Sequence, residues 1–312
     1  MLKNSSSSNQ ISFEATPFPY LCIDDFLTND ECASLIQDAA DANSEDTVFM
    51  HGGRFSLGSV SPSFKDLVSK SKSWTRLVAM LKSDTMANLF LDHVRKECPD
   101  KYFTKWVTSR KFEISEIPRL TSVLPQFIVD KVKSASDRQV RFCTKKQLFF
   151  ISFMALFDDI YRLMHSFGSY IFGKRRLTLL FDYSVAKIGY SREVHRDSDA
   201  RVIVFLLYLN DLEDYVEGGS LKIHDSKVEQ KKFAPRPGDE NVYIVNEFKP
   251  KAGRLVMFLN TANSYHSVEK MTNSEHGRHF LYGAYTLSSG FGSLAKIKSS
   301  GKLPTEYNLY RE

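Results

Sequence analysis

The fold is predicted most clearly from the segment RLVMFLNTANSYHSV, residues 254–268, in which a polar turn separates two apolar runs. The run Arg254–Leu259 has the composition of a buried strand, and the turn after it places His266 at the edge of the next strand. Short β-type runs with turn residues between them recur at residues 176–183, 201–209, 220–224, 242–245 and 278–287. The second half of the chain is therefore predicted to be an antiparallel β-domain.

Helical patterns dominate the first half. A proline-bracketed run at residues 17–27 predicts a short first strand. The capping box Thr28–Glu31 then begins a helix, because the Thr hydroxyl and the Glu carboxylate each accept a backbone N–H. Apolar spacing predicts further helices at 63–81 and 84–97 and a long buried helix at 147–172. Helices followed by strands indicate an α+β fold, in which the N-terminal helices brace one face of a sandwich or jelly roll.

A single folded domain is predicted over residues 17–290. It follows a polar, serine-rich lead-in at residues 1–16, which is expected to be disordered. Within the domain, residues 17–174 hold the first strand, the supporting helices and a basic insertion, and residues 175–290 hold the jelly-roll core. Residues 291–312 are expected to form a C-terminal tail.

The net charge of the 312-residue chain is +5, from 42 Lys and Arg against 37 Asp and Glu. The segment 101–146 holds eleven basic and four acidic residues, so this one segment accounts for more than the whole excess. Such a local excess favours an anionic partner but does not indicate nucleic acid. Three interpretations of the segment stay open: a solvated excursion, a lid over an anionic substrate, and a partner-docking patch.

Composition also limits the compartment. No run of about 18 apolar residues is present, so the sequence predicts no membrane-spanning helix. The four cysteines show no CxxC or similar pairing, which supports neither a zinc site nor a disulfide framework. A cytoplasmic location is the default expectation, and an organellar presequence stays open.

A metal site is indicated by two histidines and one aspartate. In an extended segment residues i and i+2 project on the same face, so His195 and Asp197 can present a nitrogen and an oxygen to one point. With His266 they would form the facial triad of non-haem Fe(II) oxygenases. Arg278 opens the apolar strand at 278–285 and would be costly to bury unpaired, so a carboxylate should meet it.

The order of these motifs resembles the 2-oxoglutarate and Fe(II)-dependent oxygenases of the prolyl 4-hydroxylase type. The resemblance covers about residues 177–287 and rests on His195–Asp197, Tyr208–Asn210, Glu217–Leu221, Pro250–Phe258, His266 and Arg278. It implies a double-stranded β-helix (jelly roll) catalytic core braced by the N-terminal helices. It also implies Fe(II), 2-oxoglutarate and O2, with ascorbate as a candidate reductant. It also implies that His195, Asp197 and His266 are the iron ligands.

Further roles follow from the same resemblance. Arg278 would bind the distal carboxylate of 2-oxoglutarate, assisted by the hydroxyl of Tyr208. Tyr183 and Tyr190 lie where the family often places a cosubstrate-facing residue, and Tyr282 is expected in the pocket wall. The surplus arginines near the metal motif, Arg192 and Arg201, are expected to bind an anionic substrate or, alternatively, to lie on a solvated strand edge.

Three functions are compatible with the sequence. The leading hypothesis is a small-molecule oxygenase that hydroxylates or oxidatively cyclises a carboxylated, amino-acid-like metabolite, for example in kainoid-type ring formation. The alternatives are a protein or peptide prolyl hydroxylase and a non-enzymatic jelly-roll module that binds through residues 101–146. The resemblance disfavours nucleic-acid demethylation, because Ala284 stands where those enzymes carry a second arginine. The sequence contains no heptad pattern that would predict an oligomeric state.

Overall fold

A computed structural model describes residues 11–40, 48–50, 53–98, 111–114, 174–197, 201–227 and 236–287, with seven further positions between 149 and 164. The chain divides into two compact units, here called the first unit (Met1–Val107 with Leu180–Tyr285) and the second unit (Thr108–Leu179 with Thr286–Glu312). Residues 291–312 and most of the basic segment 101–146 lie outside the described residues. The single domain over 17–290 stays a prediction.

Two β-sheets form the first unit. The larger sheet has the order β1-β2-β11-β8-β13-β6-β4-β3, and the smaller sheet has the order β10-β9-β12-β7. The strands are β1 (Ile11–Glu14), β2 (Tyr20–Ile23), β3 (Val48–Met50), β4 (Arg54–Gly58), β6 (Lys174–Ala186), β7 (Arg192–His195), β8 (Arg201–Tyr208), β9 (Leu221–Ser226), β10 (Val242–Phe248), β11 (Leu255–Leu259), β12 (His266–Val268) and β13 (Arg278–Leu287). Central strand β11 pairs antiparallel with both β2 and β8.

The main core lies between the two sheets and is built from alternate residues of their strands. Val204, Leu206 and Tyr208 of β8 belong to one buried cluster with Leu221 and Ile223 of β9. This is the period-2 alternation expected when one face of a strand is buried against a second sheet. The arrangement confirms the predicted double-stranded β-helix core.

Four described helices accompany the larger sheet: α1 (Asn29–Ala40), α2 (Pro62–Lys70), α3 (Lys72–Lys82) and α4 (Asp84–Glu97). Phe64 of α2 meets Phe181 of β6 edge to face, with ring centroids 5.3 Å apart. Trp74 of α3 meets Tyr183 in the same way at 5.5 Å. These contacts confirm that the N-terminal helices brace the sheet.

The helix boundaries differ from the prediction at one point. The capping box forms, since Glu31 accepts the backbone N–H of Thr28 at 2.9 Å and its own N–H donates to the Thr28 hydroxyl at 3.2 Å. The single helix predicted at 63–81 is wrong, because Ser71 divides it. The extended backbone of Ser71 ends α2, and its hydroxyl accepts the N–H of Trp74 to cap α3.

Several strands were not predicted. Residues 11–14, which were assigned to a disordered lead-in, form β1 and pair with β2, so that boundary is wrong. The hairpin of β3 and β4 was not predicted either, because too few residues alternate there to give a clear strand signal.

The second unit is described only in part. Its strand β5 (Lys111–Ile114) pairs in parallel with residues 174–177 of β6. The seven described positions between 149 and 164 are helical, as predicted. The expected burial is wrong for their apolar side chains, which are 40–74% exposed: Phe149, Phe153, Leu156, Phe157, Ile160 and Met164. None of the helices in the described residues is long and apolar enough to span a bilayer.

Candidate metal and cosubstrate site

The two strands β7 and β12 bring the predicted metal ligands together. His266 is the register partner of His195 across this antiparallel pair, and their ring centroids lie 4.4 Å apart. Asp197 follows two residues after the end of β7. One potential ligand atom from each of the three side chains lies within 4.8 Å of the other two.

Hydrogen bonds fix the orientation of both imidazole rings. The Nδ1 atom of His195 lies 2.8 Å from the carbonyl of Glu193, and Nδ1 of His266 lies 3.0 Å from the carbonyl of Ser264. Because a carbonyl only accepts, Nδ1 carries the proton in each ring and Nε2 keeps its lone pair. Burial lowers the pKa of His195 to about 4 and also lowers the pKa of His266. Both rings are therefore neutral near pH 7, as metal ligands must be.

The carboxylate of Asp197 is buried but strongly partnered. Arg201 Nη1 donates to its Oδ1 at 2.5 Å, and the Tyr282 hydroxyl lies 2.8 Å from Oδ1 and 3.0 Å from Oδ2. Burial by itself would raise the pKa of Asp197, but His266, Arg201 and the hydrogen bond from Tyr282 outweigh burial and lower it. Two neutral imidazoles and one ionised carboxylate are the ligand set of a non-haem Fe(II) site, so the residues fit this metal.

Arg278 supplies the second part of the site. Its side chain is 1% exposed, and Nη1 donates to the carbonyl of Gly219. Nε and Nη2 of Arg278 and the hydroxyl of Tyr208 are buried and have no hydrogen-bond partner among the described residues. Burial raises the pKa of Tyr208 to about 12, so its hydroxyl keeps its proton at neutral pH. Burial lowers the pKa of Arg278, and a bound carboxylate would oppose that effect. Three donors without a partner among the described residues, around one buried cation, fit a carboxylate; the binding of the cosubstrate by Arg278 and Tyr208 stays a prediction.

Aromatic rings enclose this guanidinium. Its central carbon lies 4.5 Å from the ring centroid of Phe280, 5.4 Å from that of Tyr190 and 5.8 Å from that of Tyr208. The carbonyl that accepts from Arg278 belongs to the turn Gly218–Gly219, where both residues have positive φ. A side chain at Gly218 would overlap the backbone of Lys270, so glycine is required for this close approach.

The structure corrects the expectation for Tyr183 and changes those for Tyr282 and Arg201. Tyr183 lies on the helix-facing side of β6, where it meets Trp74 and its hydroxyl is 2.7 Å from Nδ1 of His279. It therefore does not reach the Arg278 side of the sheet. Tyr282 and Arg201 both contact Asp197, so neither is simply a pocket wall or a free substrate-binding group.

The remaining two predicted residues have different surroundings. Tyr190 is buried beside Arg278, and its cosubstrate-facing role stays a prediction. Arg192, proposed from the sequence as a substrate-binding residue, is the exposed first residue of β7. Its charge helps to lower the pKa of His195 and His266.

Sequence reasoning missed Arg54 on β4. Its side chain is 10% exposed, its Nε donates to Ser184 at 3.0 Å, and its Nη2 lies 3.7 Å from Asp182. The guanidinium carbon lies 5.3 Å from the ring centroid of Phe280 and 5.4 Å from that of Tyr282. Polar and apolar residues do alternate in RFSLG, residues 54–58, but this stretch is too short to predict a strand from the sequence.

Residues 181–283 match the model of the 2OG-Fe(II) oxygenase superfamily. One similar solved structure is a prolyl-4-hydroxylase from Pseudomonas putida, with 24% identity and a TM-score of 0.25; the match covers 35% of this chain and 51% of that one. Another is a prolyl hydroxylase from Trichoplax adhaerens in complex with a hypoxia inducible factor peptide fragment, with 10% identity, a TM-score of 0.40, and coverage of 87% and 84%. No curated protein sequence matches the chain.

The matched range contains all three members of the His195, Asp197 and His266 cluster together with Arg278. The superfamily implies Fe(II), 2-oxoglutarate and O2. Residues 181–283 of this chain therefore form a domain of the 2OG-Fe(II) oxygenase superfamily.

Proposed function

We propose that the protein is a non-haem Fe(II)- and 2-oxoglutarate-dependent dioxygenase that oxidises an unactivated C–H bond of a small, carboxylated, amino-acid-like metabolite. The observation that carries the proposal is that one domain contains both a cluster suited to a metal ion and a buried group of donors suited to a carboxylate. The cluster of His195, Asp197 and His266 has the ligand set of an iron centre. Arg278 and Tyr208 have buried hydrogen-bond donors without a partner among the described residues, and an anion could accept from them.

The protein residues have separable tasks in this reaction. When bound, Fe(II) with 2-oxoglutarate and O2 supplies the oxidation of the C–H bond, and the cosubstrate leaves as succinate and CO2. His195, Asp197 and His266 would hold the metal through two imidazole nitrogens and one carboxylate. Arg278 and Tyr208 bind the far carboxylate of the cosubstrate, which fixes its orientation. The surrounding apolar side chains, among them Phe258 at 4.8 Å from the His266 ring, exclude water from the ligands.

Arg54 supports the carboxylated substrate class. Its ion pair with Asp182 is long, at 3.7 Å, and the Asp182 side chain is 40% exposed, so this carboxylate compensates the buried charge only weakly. Arg54 lies over the same rings, Phe280 and Tyr282, that border Arg278 and Asp197. A second anion bound here would lie close to the metal ligands, and a planar fork is suited to a carboxylate.

The experiment measures succinate formed from 2-oxoglutarate with Fe(II) under air, first without substrate and then with a panel of amino acids and dicarboxylic acids. We expect a slow basal conversion that one acidic compound stimulates, and no conversion in His195→Ala. No Fe(II)-dependent succinate in the wild type under any condition would contradict the oxygenase proposal.

A second arm of the same screen separates the substrate classes. Proline-containing peptides replace the acids, because a peptide prolyl hydroxylase would respond to them and not to free acids. Arg54→Leu is expected to raise the KM for the stimulating acid and to leave the KM for the cosubstrate unchanged, while Arg54→Lys should be milder. Stimulation by peptides alone would overturn the small-acid assignment and leave the oxygenase chemistry intact.

A further inference from the structure

The two oxygens of the Asp197 carboxylate have different surroundings. Oδ1 accepts from Arg201 Nη1 at 2.5 Å and lies 2.8 Å from the Tyr282 hydroxyl. Oδ2 lies 3.0 Å from the same hydroxyl and 3.8 Å from Nε2 of His266, the nitrogen that carries the lone pair. The side chain of Asp197 is only 6% exposed, so water contributes little to its solvation. Among the described residues, Oδ1 therefore has the charged donor Arg201 in addition to the Tyr282 hydroxyl, whereas Oδ2 has the hydroxyl alone and is the oxygen nearest His266.

Arg201 and Tyr282 form a connected pair behind this carboxylate. Arg201 Nη1 also donates to the Tyr282 hydroxyl, and its guanidinium carbon lies 5.1 Å from the ring centroid of Tyr282. Asn260 donates to the carbonyl of Arg201 at 3.1 Å, which ties the start of β8 to the end of β11. The two donors come from adjacent strands, β8 and β13, of the larger sheet. Their positions are thus set by the sheet and not by a loop.

We propose that Tyr282 and Arg201 are positioning residues of the metal centre, which hold Oδ1 so that Asp197 presents a single oxygen to the metal. This inference rests on the proposed function, because it assumes that the cluster binds iron. A carboxylate that bound through both oxygens would occupy one further position at the metal. Keeping Oδ1 engaged leaves that position for the cosubstrate or O2.

Partners behind a ligating carboxylate also raise the affinity for the metal, because they fix its rotamer before binding. Tyr282→Phe removes the hydroxyl next to both oxygens and keeps the ring against Arg54 and Arg201. Arg201→Gln removes the charge-assisted donor to Oδ1. Each variant is expected to weaken metal binding by about 10- to 100-fold.

The chain offers a matched control on the same strand. Tyr285 is also a buried tyrosine of β13, and its hydroxyl donates to the carbonyl of Leu81 at 2.8 Å on the helix-facing side. Tyr285→Phe therefore removes one buried hydroxyl without touching Asp197. A general loss of stability should affect both Tyr→Phe variants, whereas a positioning role should affect metal binding in Tyr282→Phe alone.

The test is anaerobic titration of the full chain with Mn(II), followed by electron paramagnetic resonance, with circular dichroism confirming the fold of each variant. We expect weaker binding and an altered bound-metal spectrum in Tyr282→Phe, weaker binding in Arg201→Gln, and wild-type behaviour in Tyr285→Phe. The inference would be overturned if Tyr282→Phe or Arg201→Gln, whichever folds, bound Mn(II) with the affinity and spectrum of the wild type. Absence of Mn(II) binding in the wild type would instead overturn the proposed function.

Discussion

Replacing Arg278 by lysine should show whether the guanidinium binds the cosubstrate carboxylate through two hydrogen bonds or only supplies a positive charge. Arg278 has two buried nitrogens, Nε and Nη2, without a partner among the described residues, while Nη1 is used by Gly219. Lysine keeps the charge but offers one compact ammonium group on a differently shaped stem. The variant therefore changes the geometry of the donors and leaves the net charge of the protein unchanged.

The size of the effect follows from the number of donors. If both free nitrogens bind the cosubstrate carboxylate, lysine loses one of two charge-assisted hydrogen bonds. Such a bond contributes about 1.5–3 kcal/mol. The dissociation constant of 2-oxoglutarate should then rise by about 10- to 150-fold.

The assay is calorimetric titration of 2-oxoglutarate into Mn(II)-loaded protein without O2, so that no turnover occurs. A matched control is Arg254→Lys. Arg254 makes a two-pronged contact with Asp24, at 2.6 and 2.9 Å, outside the metal cluster. The control makes the same chemical change at another bidentate site and should leave 2-oxoglutarate binding unchanged. An unaltered affinity in Arg278→Lys, or an equal loss in both variants, would refute the assigned role of Arg278.

Three further variants or conditions test other parts of the account. Tyr208→Phe removes a buried hydroxyl that has no hydrogen-bond partner among the described residues, and it should weaken 2-oxoglutarate binding by about 10-fold in the same titration; unchanged binding would exclude this hydroxyl from the carboxylate site. Burial lowers the pKa of His224 from 6.5 to about 4, so the unfolded chain takes up its proton first as the pH falls. The metal-free protein should therefore lose up to about 3 kcal/mol of stability between pH 6.5 and 4 through this residue, measured by urea unfolding. His224→Gln should flatten that slope, and an identical slope would contradict the burial argument. Gly283→Ala would place a methyl group against Phe205 and Phe181 and should cost about 1–3 kcal/mol in the same assay; a neutral result would mean that the strand can shift.

The clustering of His195, Asp197 and His266 and the burial of Arg278 could be predicted from the sequence, because the strands that carry these residues follow one another in a fixed order. One strand pairing, β7 with β12, is enough to bring the three side chains together, because His195 ends β7 and His266 begins β12. The need of Arg278 for an anionic partner follows from a simple rule, since a buried charge in an apolar strand is costly unless it is paired, and two of its nitrogens have no partner in the described part of the chain.

Other side chains depended on details that the sequence does not encode locally. The sequence predicts Tyr183 in the site. Successive side chains of a strand point to opposite faces, however, so an error of one residue in the assumed register places a side chain on the wrong face. Tyr183 lies on the face that meets Trp74. Arg54 was missed because it comes from a short hairpin far away in sequence, and only the pairing of β4 with β6 brings it to Ser184.

The roles of Arg201 and Tyr282 show the same limit. Both were identified near the site, one as a substrate ligand and the other as a wall. Eighty-one positions separate them, and their contact with Asp197 appears only once β8 and β13 lie side by side. Their spacing in the sequence places both residues near the site, but it does not show that their hydrogen-bond donors point at Asp197.

The central claim is that one site binds both Fe(II) and 2-oxoglutarate. Its most direct test is anaerobic addition of Fe(II) and then 2-oxoglutarate, followed by visible absorption, because an Fe(II)–2-oxo acid chelate has a charge-transfer band. We expect the wild type to develop the band only with both components and to saturate at one iron per chain, and we expect His266→Ala to show none. A wild type that binds neither component, or that gives no band with both, would contradict the account.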